Sequence, residues 1–277
     1  MTFSATDQRA FSDFETAAWG QMTSHYDGVA GSITRQAVAA ILDAVAIREG
    51  ESLLDVASGP GYVAAAAQER GARPAGVDFS PDMIRLAREA LPDIAFDCGD
   101  AENLAYADAS FDAVTCAFGM LHFPRPGRAV AEAHRVLRPG GRFAFTVWCD
   151  SSKGKLFPKL ADALTQGASL PVKRPPGPSL YMLSDPLVSV ALMDAARFTE
   201  IGVAELPCFF TVRTPNDILD FLLKCGARGA YAYEQQPAEA RARIDQILRD
   251  EGGKALAVDG GRIPCAALLV TGIKGRA

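Results

Sequence analysis

Histidine is scarce in this chain of 277 residues: His25, His122 and His134 are its three, and none lies at metal-ligand spacing from another. The six cysteines (Cys98, Cys116, Cys149, Cys208, Cys225, Cys265) are equally scattered and form no Cys-x-x-Cys pair. A metal site has little to build on, and reduced thiols packed as small hydrophobes are expected rather than disulfides or zinc. Basic charge is also short. Lys and Arg number 28 against 33 Asp and Glu, a formal net charge of −5, which argues against nucleic acid as a partner because polyanion binding needs clustered positive charge. No apolar run approaches the roughly 18–20 residues of a membrane span. The opening residues, from Met1 to Arg9, lack the basic-then-apolar order of a secretory signal, so a cytoplasmic location is expected. Oligomeric state has no signature in the sequence.

What is present suits a packed enzyme-sized unit. Hydrophobic residues make up 49% of the chain and charged residues 22%, which excludes disorder as the general state and predicts one large domain, or one with a substantial appendage. Residues 1–48 read as helical, with the clearest helix over 34–47. From there to about 148, short apolar runs alternate with amphipathic helices. Strands are predicted at 52–57, 74–77, 94–98, 113–118 and 142–148, with helices over 62–70 and 129–137 and another opened by Ser80 as cap and Pro81 at its first turn. That alternation implies a mainly parallel sheet covered on both faces. Beyond Trp148 the pattern loosens. Polar and proline-rich punctuation at 151–154 and 171–178 precedes a helix over 185–196, a strand near 203–212, helices near 216–224 and 238–250, and a last strand over 264–273.

The informative segment is Leu53-Leu54-Asp55-Val56-Ala57-Ser58-Gly59-Pro60-Gly61-Tyr62. A buried strand runs into a glycine turn and then a helix, whose N-terminus offers free N–H groups. With Ala64 the string fits G-x-G-x-x-A, a dinucleotide fingerprint; alone, any tight strand-to-helix turn would look the same. Gly76-Val77-Asp78-Phe79-Ser80 then puts an acid at the end of the next strand, where a carboxylate can accept both ribose hydroxyls. Cys98-Gly99-Asp100-Ala101-Glu102 follows the third strand and offers an acceptor for an adenine amino group. Each acid alone could be a solvated strand end or a helix cap. Three such turns along one sheet edge predict nucleoside binding.

Taken in order with Phe111-Asp112-Ala113-Val114 and Arg138-Pro139-Gly140-Gly141-Arg142, these motifs resemble class I S-adenosylmethionine-dependent methyltransferases. The resemblance is closest to the ubiquinone/menaquinone-biosynthesis-like (type 11) group of small-molecule enzymes, and it covers about residues 34–148. It implies a doubly wound, Rossmann-like α/β fold with a seven-stranded, mainly parallel sheet whose last strand is antiparallel. An N-terminal helical lid (1–33), a cofactor-binding core (34–150) and a C-terminal part (151–277) holding substrate-cap insertions and the last strands are expected. The implied cofactor is S-adenosyl-L-methionine, with S-adenosyl-L-homocysteine as product. Its implied contacts are Asp55, Ala57, Ser58, Gly59 and Gly61 at the first turn, Asp78 at the ribose, Phe79 and Met83 flanking the adenine, Asp100 and Ala101 at its edge, and Phe118, Leu121 and His122 facing the sulfonium and acceptor. Ser58-Gly59-Pro60-Gly61 departs from the Cys-Gly-Thr-Gly of many members; proline removes one N–H but is tolerated at a helix start. The signature at 138–141 reads as a structural helix stop and turn.

Methyl transfer from a sulfonium is chiefly a matter of alignment, so the sequence need not advertise a catalytic residue. His122 is the candidate base, with simple packing beside the cofactor as the preferred alternative. Tyr26 either meets the methionine carboxylate or packs in the lid. Trp19, Trp148, Tyr181 and Tyr231 line an acceptor pocket or form the core of a small cap; Arg228 pairs an acidic substrate group or is a solvated surface residue. The expected function is methyl transfer to a small, partly apolar metabolite at oxygen, carbon or nitrogen. An NAD(P)-dependent oxidoreductase is the second reading, disfavoured by Asp55, Gly99-Asp100 and the absence of a Tyr-x-x-x-Lys pair. A non-catalytic adenosyl-binding domain is the third.

Overall fold

The computed structural model describes residues 3–150, 152–258 and 260–276. Residues 1 and 2 of the N-terminal helical segment, Ser151 of the 151–154 punctuation, and residues 259 and 277 lie outside these.

Helix α1 (Ala5–Met22) begins with a capping box: Ser4 Oγ accepts the Asp7 N–H while the Asp7 carboxylate accepts the Ser4 N–H. A tight turn at Thr23–His25, α2 (Gly31–Thr34), a second turn at Arg35–Ala37 and α3 (Val38–Ala44) follow. The helix expected over 34–47 is therefore broken in two, and it ends early, with Ala46 at a φ of 43°. The alternating region gives β1 (Ser52–Val56), α4 (Tyr62–Glu69), β2 (Arg73–Asp78), α5 (Pro81–Ala90), β3 (Ala95–Cys98), β4 (Phe111–Ala117), α6 (Pro126–Val136) and β5 (Leu137–Trp148). Helix α5 is opened by Ser80, whose Oγ accepts the Met83 N–H, with Pro81 in the first turn. Strand β5 starts five residues earlier than expected. Arg138 to Gly141 lie inside it as an irregularity, with the register shifting opposite Phe111 and Ala113 and Gly140 at a φ of 79°.

The remainder comprises α7 (Leu156–Gly167), α8 (Pro186–Ala195), β6 (Phe198–Leu206), β7 (Phe209–Thr211), α9 (Asp217–Cys225), α10 (Ala227–Glu234), α11 (Ala238–Val258), β8 (Arg262–Pro264) and β9 (Ala267–Lys274). Helices α7 and α10 were not foreseen. The single strand expected near 203–212 is two strands in two sheets, interrupted at Pro207, which cannot donate to a ladder. Helix α11 runs eight residues past its expected end, through Gly252, where a Cβ would lie 2.3 Å from the Pro215 carbonyl oxygen. Close approach of the backbone there explains a glycine in mid-helix.

The main sheet has the order β3-β2-β1-β4-β5-β9-β6. Its first five strands are parallel, and β9 runs antiparallel to both β5 and β6. Side chains alternate between two cores, as strand geometry demands. Leu53, Ala144 and Leu269 pack with Ile41, Leu42 and Val63 on one face. On the other, Leu54, Phe143, Phe145 and Val270 pack with Val130 and Met193. Both faces are covered, so β1 reads as a nearly unbroken apolar run. A third cluster joins α7, α9 and α11 to Ile33, Phe118 and Trp148 above the carboxyl ends of β4 and β5. The chain leaves β1 toward β2 and β3 on one side and returns as β4 on the other. That reversal opens a crevice at the carboxyl ends of β1 and β4, where α/β sheets hold ligands.

Candidate active site

The crevice is built by the loops after β1, β2 and β4. After β1 the backbone turns sharply, with Ala57 (φ 54°), Gly59 (φ 51°) and Gly61 (φ 88°) all left-handed. Glycine accepts this freely; Ala57 does so at a cost, of the kind folds retain at functional sites. A Cβ at Gly61 would lie 2.8 Å from Leu91 and Phe96, whereas one at Gly59 would meet nothing within 4 Å. Gly61 thus serves packing, and Gly59 faces open space. Phe118 after β4 is a second strained residue, with φ 58°. Its N–H donates to Thr146, and its ring stacks on Trp148 at 4.1 Å. The next residue, Gly119, is pressed against the first loop: a Cβ there would stand 2.5 Å from the Ala57 Cβ. Gly119 was not singled out from the sequence, and nothing local marks it, since its role is a contact between loops 62 residues apart.

Asp78 ends β2, is buried, and ties two loops together. Its Oδ2 accepts the Gly59 N–H at 2.8 Å and its Oδ1 the Ser80 N–H at 2.9 Å. Burial raises its carboxyl pKa, against which the two N–H donors act. Asp55 lies behind the first turn, accepting the Thr115 hydroxyl at 3.0 Å. Burial pushes its carboxyl up to about 7. Ser58 Oγ is buried without a hydrogen-bond partner. Asp100 accepts the Glu102 N–H, and Glu102, itself buried, binds Arg125 Nε at 2.6 Å.

Two adjoining cavities occupy the crevice. The larger, about 1160 Å³, is bordered by Ala57, Gly59, Asp78, Phe79, Met83 and Phe118, and on its far side by aromatic residues that include Trp148, Phe157 and Phe221. The smaller, about 510 Å³, is bordered by Asp78, Asp100 and Ala101. Ala57, Asp78, Phe79 and His122 border both. Most sequence-derived candidates therefore converge. Asp55, Ser58 and Gly61 shape the turn from behind and do not border either cavity. Tyr26 borders the larger cavity, where it packs edge-on against Trp19 and stacks near Tyr62; burial pushes its hydroxyl up to about 12. Tyr181 also borders it, with its hydroxyl buried and unpartnered.

Two candidates depart from expectation. Tyr231 borders neither cavity; its ring meets Phe14 edge-on at 5.2 Å and helps fasten α10 to α1. Arg228 is not a solvated arginine: its Nε binds Glu15 at 2.6 Å, Nη1 donates to the Pro178 carbonyl and Nη2 to that of Leu121. Glu15, which is 1% exposed, was missed. Its partners His122 and Arg228 lie 107 and 213 residues away, a separation that leaves no local signal.

Among families of known domains, the one described as "Methyltransferase domain" matches residues 54–145. The demethylmenaquinone methyltransferase of Renibacterium salmoninarum is 41% identical over 102 residues, covering 37% of this chain and 43% of that protein. A ubiquinone/menaquinone biosynthesis C-methyltransferase of Nitrobacter hamburgensis is 46% identical over 101 residues, covering 33% of this chain and 40% of that protein. The chain thus spans less than half the length of these relatives. In solved structures the fold recurs over most of the chain. The YcgJ protein of Bacillus subtilis superposes with a TM-score of 0.58 at 21% identity, covering 87% of this chain and 99% of that one. A phosphoethanolamine N-methyltransferase of Haemonchus contortus gives 0.59 at 17% identity, covering 96% and 60%. The segment from β1 into β5 is thus similar to a methyltransferase domain, and the fold around it recurs in solved structures.

Proposed function

We propose that the chain binds S-adenosylmethionine across the loops after β1, β2 and β3 and transfers its methyl group to a small, partly apolar metabolite. The observation that carries this reading is Asp78: a buried carboxylate at the cavity wall whose two oxygens are each engaged by one backbone N–H. Each oxygen keeps acceptor capacity, and neighbouring hydroxyl donors from a ribose would satisfy it. Two further features fit the cofactor. Gly59 leaves room for a ligand to approach the backbone, and the smaller cavity presents Asp100 and Ala101 to an adenine edge. A cavity of about 1160 Å³ exceeds the roughly 300–1,000 Å³ of a single-ligand pocket, as expected where cofactor and acceptor share one chamber.

The residues assigned to the cofactor are Ala57 and Gly59 at the turn, Asp78 at the ribose, Phe79 and Met83 beside the adenine, and Phe118 near the transferring end. Asp55 and Ser58 set the turn's shape. When bound, the cofactor supplies an electrophilic methyl carbon: the acceptor's electron pair forms the new bond while the carbon–sulfur pair stays on sulfur. The chain's own contribution is alignment and exclusion of water, which is worth roughly 7–11 kcal/mol where placement is good. Helix α1 supplies a lid, and the part beyond β5 supplies cap insertions besides the last strands of the sheet. The match to the methyltransferase domain ends within β5, and the menaquinone and ubiquinone enzymes match little more than a third of the chain, so the acceptor is read from the cavity rather than from their names. Its aromatic walls, Trp19, Trp148, Phe157 and Phe221, suit an apolar ring. Among the described residues no helix is long and apolar enough to cross a membrane, consistent with an acceptor reached from water. Mass spectrometry of reactions with S-adenosylmethionine and panels of hydroxyarenes, carbon acids and amines tests the reading. A gain of one methyl group on an acceptor is expected; cofactor binding with no transfer to any class would favour the non-catalytic alternative.

A further inference from the structure

Glu15 of α1 holds together parts of the molecule that are distant in sequence. Its Oε1 accepts Arg228 Nε of α10 at 2.6 Å, and its Oε2 lies 2.7 Å from His122 Nδ1 in the loop after β4. Arg228 is fixed in turn by two carbonyl oxygens and by the Phe11 ring beneath its guanidinium. Burial alone would raise the Glu15 carboxyl, but His122 and Arg228 outweigh it and hold the group down to about 2. Glu15 is therefore a carboxylate, able only to accept. The hydrogen between it and His122 must sit on Nδ1.

The Trp19 indole nitrogen lies 3.3 Å from the same Nδ1. Indole N–H only donates, so it cannot bond a nitrogen that already carries hydrogen. Its contact is the edge-on packing of the two rings at 5.1 Å and 85°. With Nδ1 carrying hydrogen toward Glu15, Nε2 is the ring nitrogen at which the imidazole can offer a lone pair. No described residue hydrogen-bonds Nε2, and it is not among the buried atoms left without partners. His122 borders both cavities, so a bound molecule can reach that nitrogen. The other charges facing this group are Asp78 at the end of β2 and Arg174 in the strap over 171–178. A buried ion pair is often no more stabilising than apolar packing, so its presence on the buried face of α1, beside Phe11 and Met22, points to a positional role.

We infer that Glu15 is a positioning residue that orients His122 as a proton acceptor, and that the methyl acceptor is a phenolic or enolic hydroxyl or an acidic C–H. The inference rests on the methyl-transfer reading of the same site. The proton leaves the acceptor's oxygen or carbon for His122 Nε2. The electron pair freed there forms the bond to the methyl carbon, and the carbon–sulfur bonding pair stays on sulfur. The resulting imidazolium stands against the Glu15 carboxylate and passes its proton to water once product leaves. A neutral amine brings its own lone pair and needs no such base.

The test uses the full chain saturated with S-adenosylhomocysteine and long-range proton–nitrogen spectra of its imidazoles, with His122 assigned by loss of its signals in His122→Asn. The neutral Nδ1–H tautomer is expected in the wild type, with the Nε2–H form gaining in Glu15→Gln. A wild-type Nε2–H tautomer, or a tautomer unmoved in Glu15→Gln, overturns the inference. The wild-type spectrum decides even if the variant does not fold. With 1,4-naphthohydroquinone as probe, turnover should fall about a hundredfold in His122→Asn; transfer to amines alone overturns the assignment. Failure of the wild type to bind S-adenosylhomocysteine would instead strike the methyl-transfer reading, and the same spectra of the unliganded chain and of its Glu15→Gln variant would then decide the tautomer.

Discussion

Asp78 receives the Gly59 N–H at 2.8 Å, so the acid at the end of β2 holds the turn at the end of β1 from 19 residues away. The two motifs are one structure. Loss of the carboxylate removes both this clasp and the acceptor assigned to the ribose. Charged hydrogen bonds are worth about 1.5–3 kcal/mol, so Asp78→Ala should weaken S-adenosylhomocysteine binding roughly 10–100-fold. Calorimetric titration measures this directly, and unchanged affinity would remove Asp78 from the site.

Gly119 has an ordinary helical backbone, φ −83° and ψ −33°, so alanine there tests space alone. The added methyl would stand 2.5 Å from the Ala57 Cβ and 2.7 Å from Cys116 Sγ. Overpacking of this kind costs about 1–3 kcal/mol. Gly119→Ala should lower the melting temperature and weaken cofactor binding together, because the displaced neighbour is the cofactor turn. Gly28→Ala, where nothing lies within 4 Å, is the matched control. Equal behaviour of the two variants would show that the loops have slack.

The buried Asp55 gives the fold a pH signature. Its carboxyl is pushed from 3.8 up to about 7, so between those values the native state keeps a proton that the unfolded chain has released. Stability therefore falls as pH rises through that window and the penalty is complete above it. Asp55→Asn should stabilise the protein at pH 8, by no more than ~4 kcal/mol, and do little at pH 4. Thermal melts at the two pH values check the sign; a larger gain at pH 4 would contradict it.

The strap and lid meet closely at Gly177 and Phe11. A Cβ on Gly177 would lie 2.0 Å from the Phe11 ring of α1. Gly177→Ala should pry the two apart, and trypsin should then cut sooner after the exposed Arg9 while the sheet melts at nearly the same temperature. An unchanged cleavage rate would mean that α1 is held by its other contacts alone, among them the Glu15–Arg228 pair.

Where chain punctuation is local, the sequence was readable. Ser80-Pro81 caps α5, and Asp185-Pro186 opens α8 through the Asp185 carboxylate, which accepts the Leu187 N–H. The glycine turn after β1 and the acid after β2 could be placed because each lies within a few residues of its strand. Helix α7 carries an equally regular stripe, Leu156, Leu160, Ala163 and Gly167 all buried, but it sits between two polar stretches, 151–154 and 171–178, whose composition is that of connecting chain. Helix α10, Ala-Arg-Gly-Ala-Tyr-Ala-Tyr-Glu, lacks a long apolar face and is held by packing on α1 and α9. The lid's chemistry was the hardest part to see. Arg228 reads as a surface residue until Glu15 and the carbonyls of Pro178 and Leu121 are brought around it, and only folding does that.

We propose the rim formed by Ala57, Gly59, Asp78 and Phe79 as an adenosyl site of the methyl-donor kind. Titration of the wild-type protein with S-adenosylhomocysteine and, separately, with NADPH tests it most directly. Saturable binding of S-adenosylhomocysteine at one site per chain, with no measurable heat from NADPH, is expected; saturable NADPH binding without the other would make the rim a nicotinamide site instead.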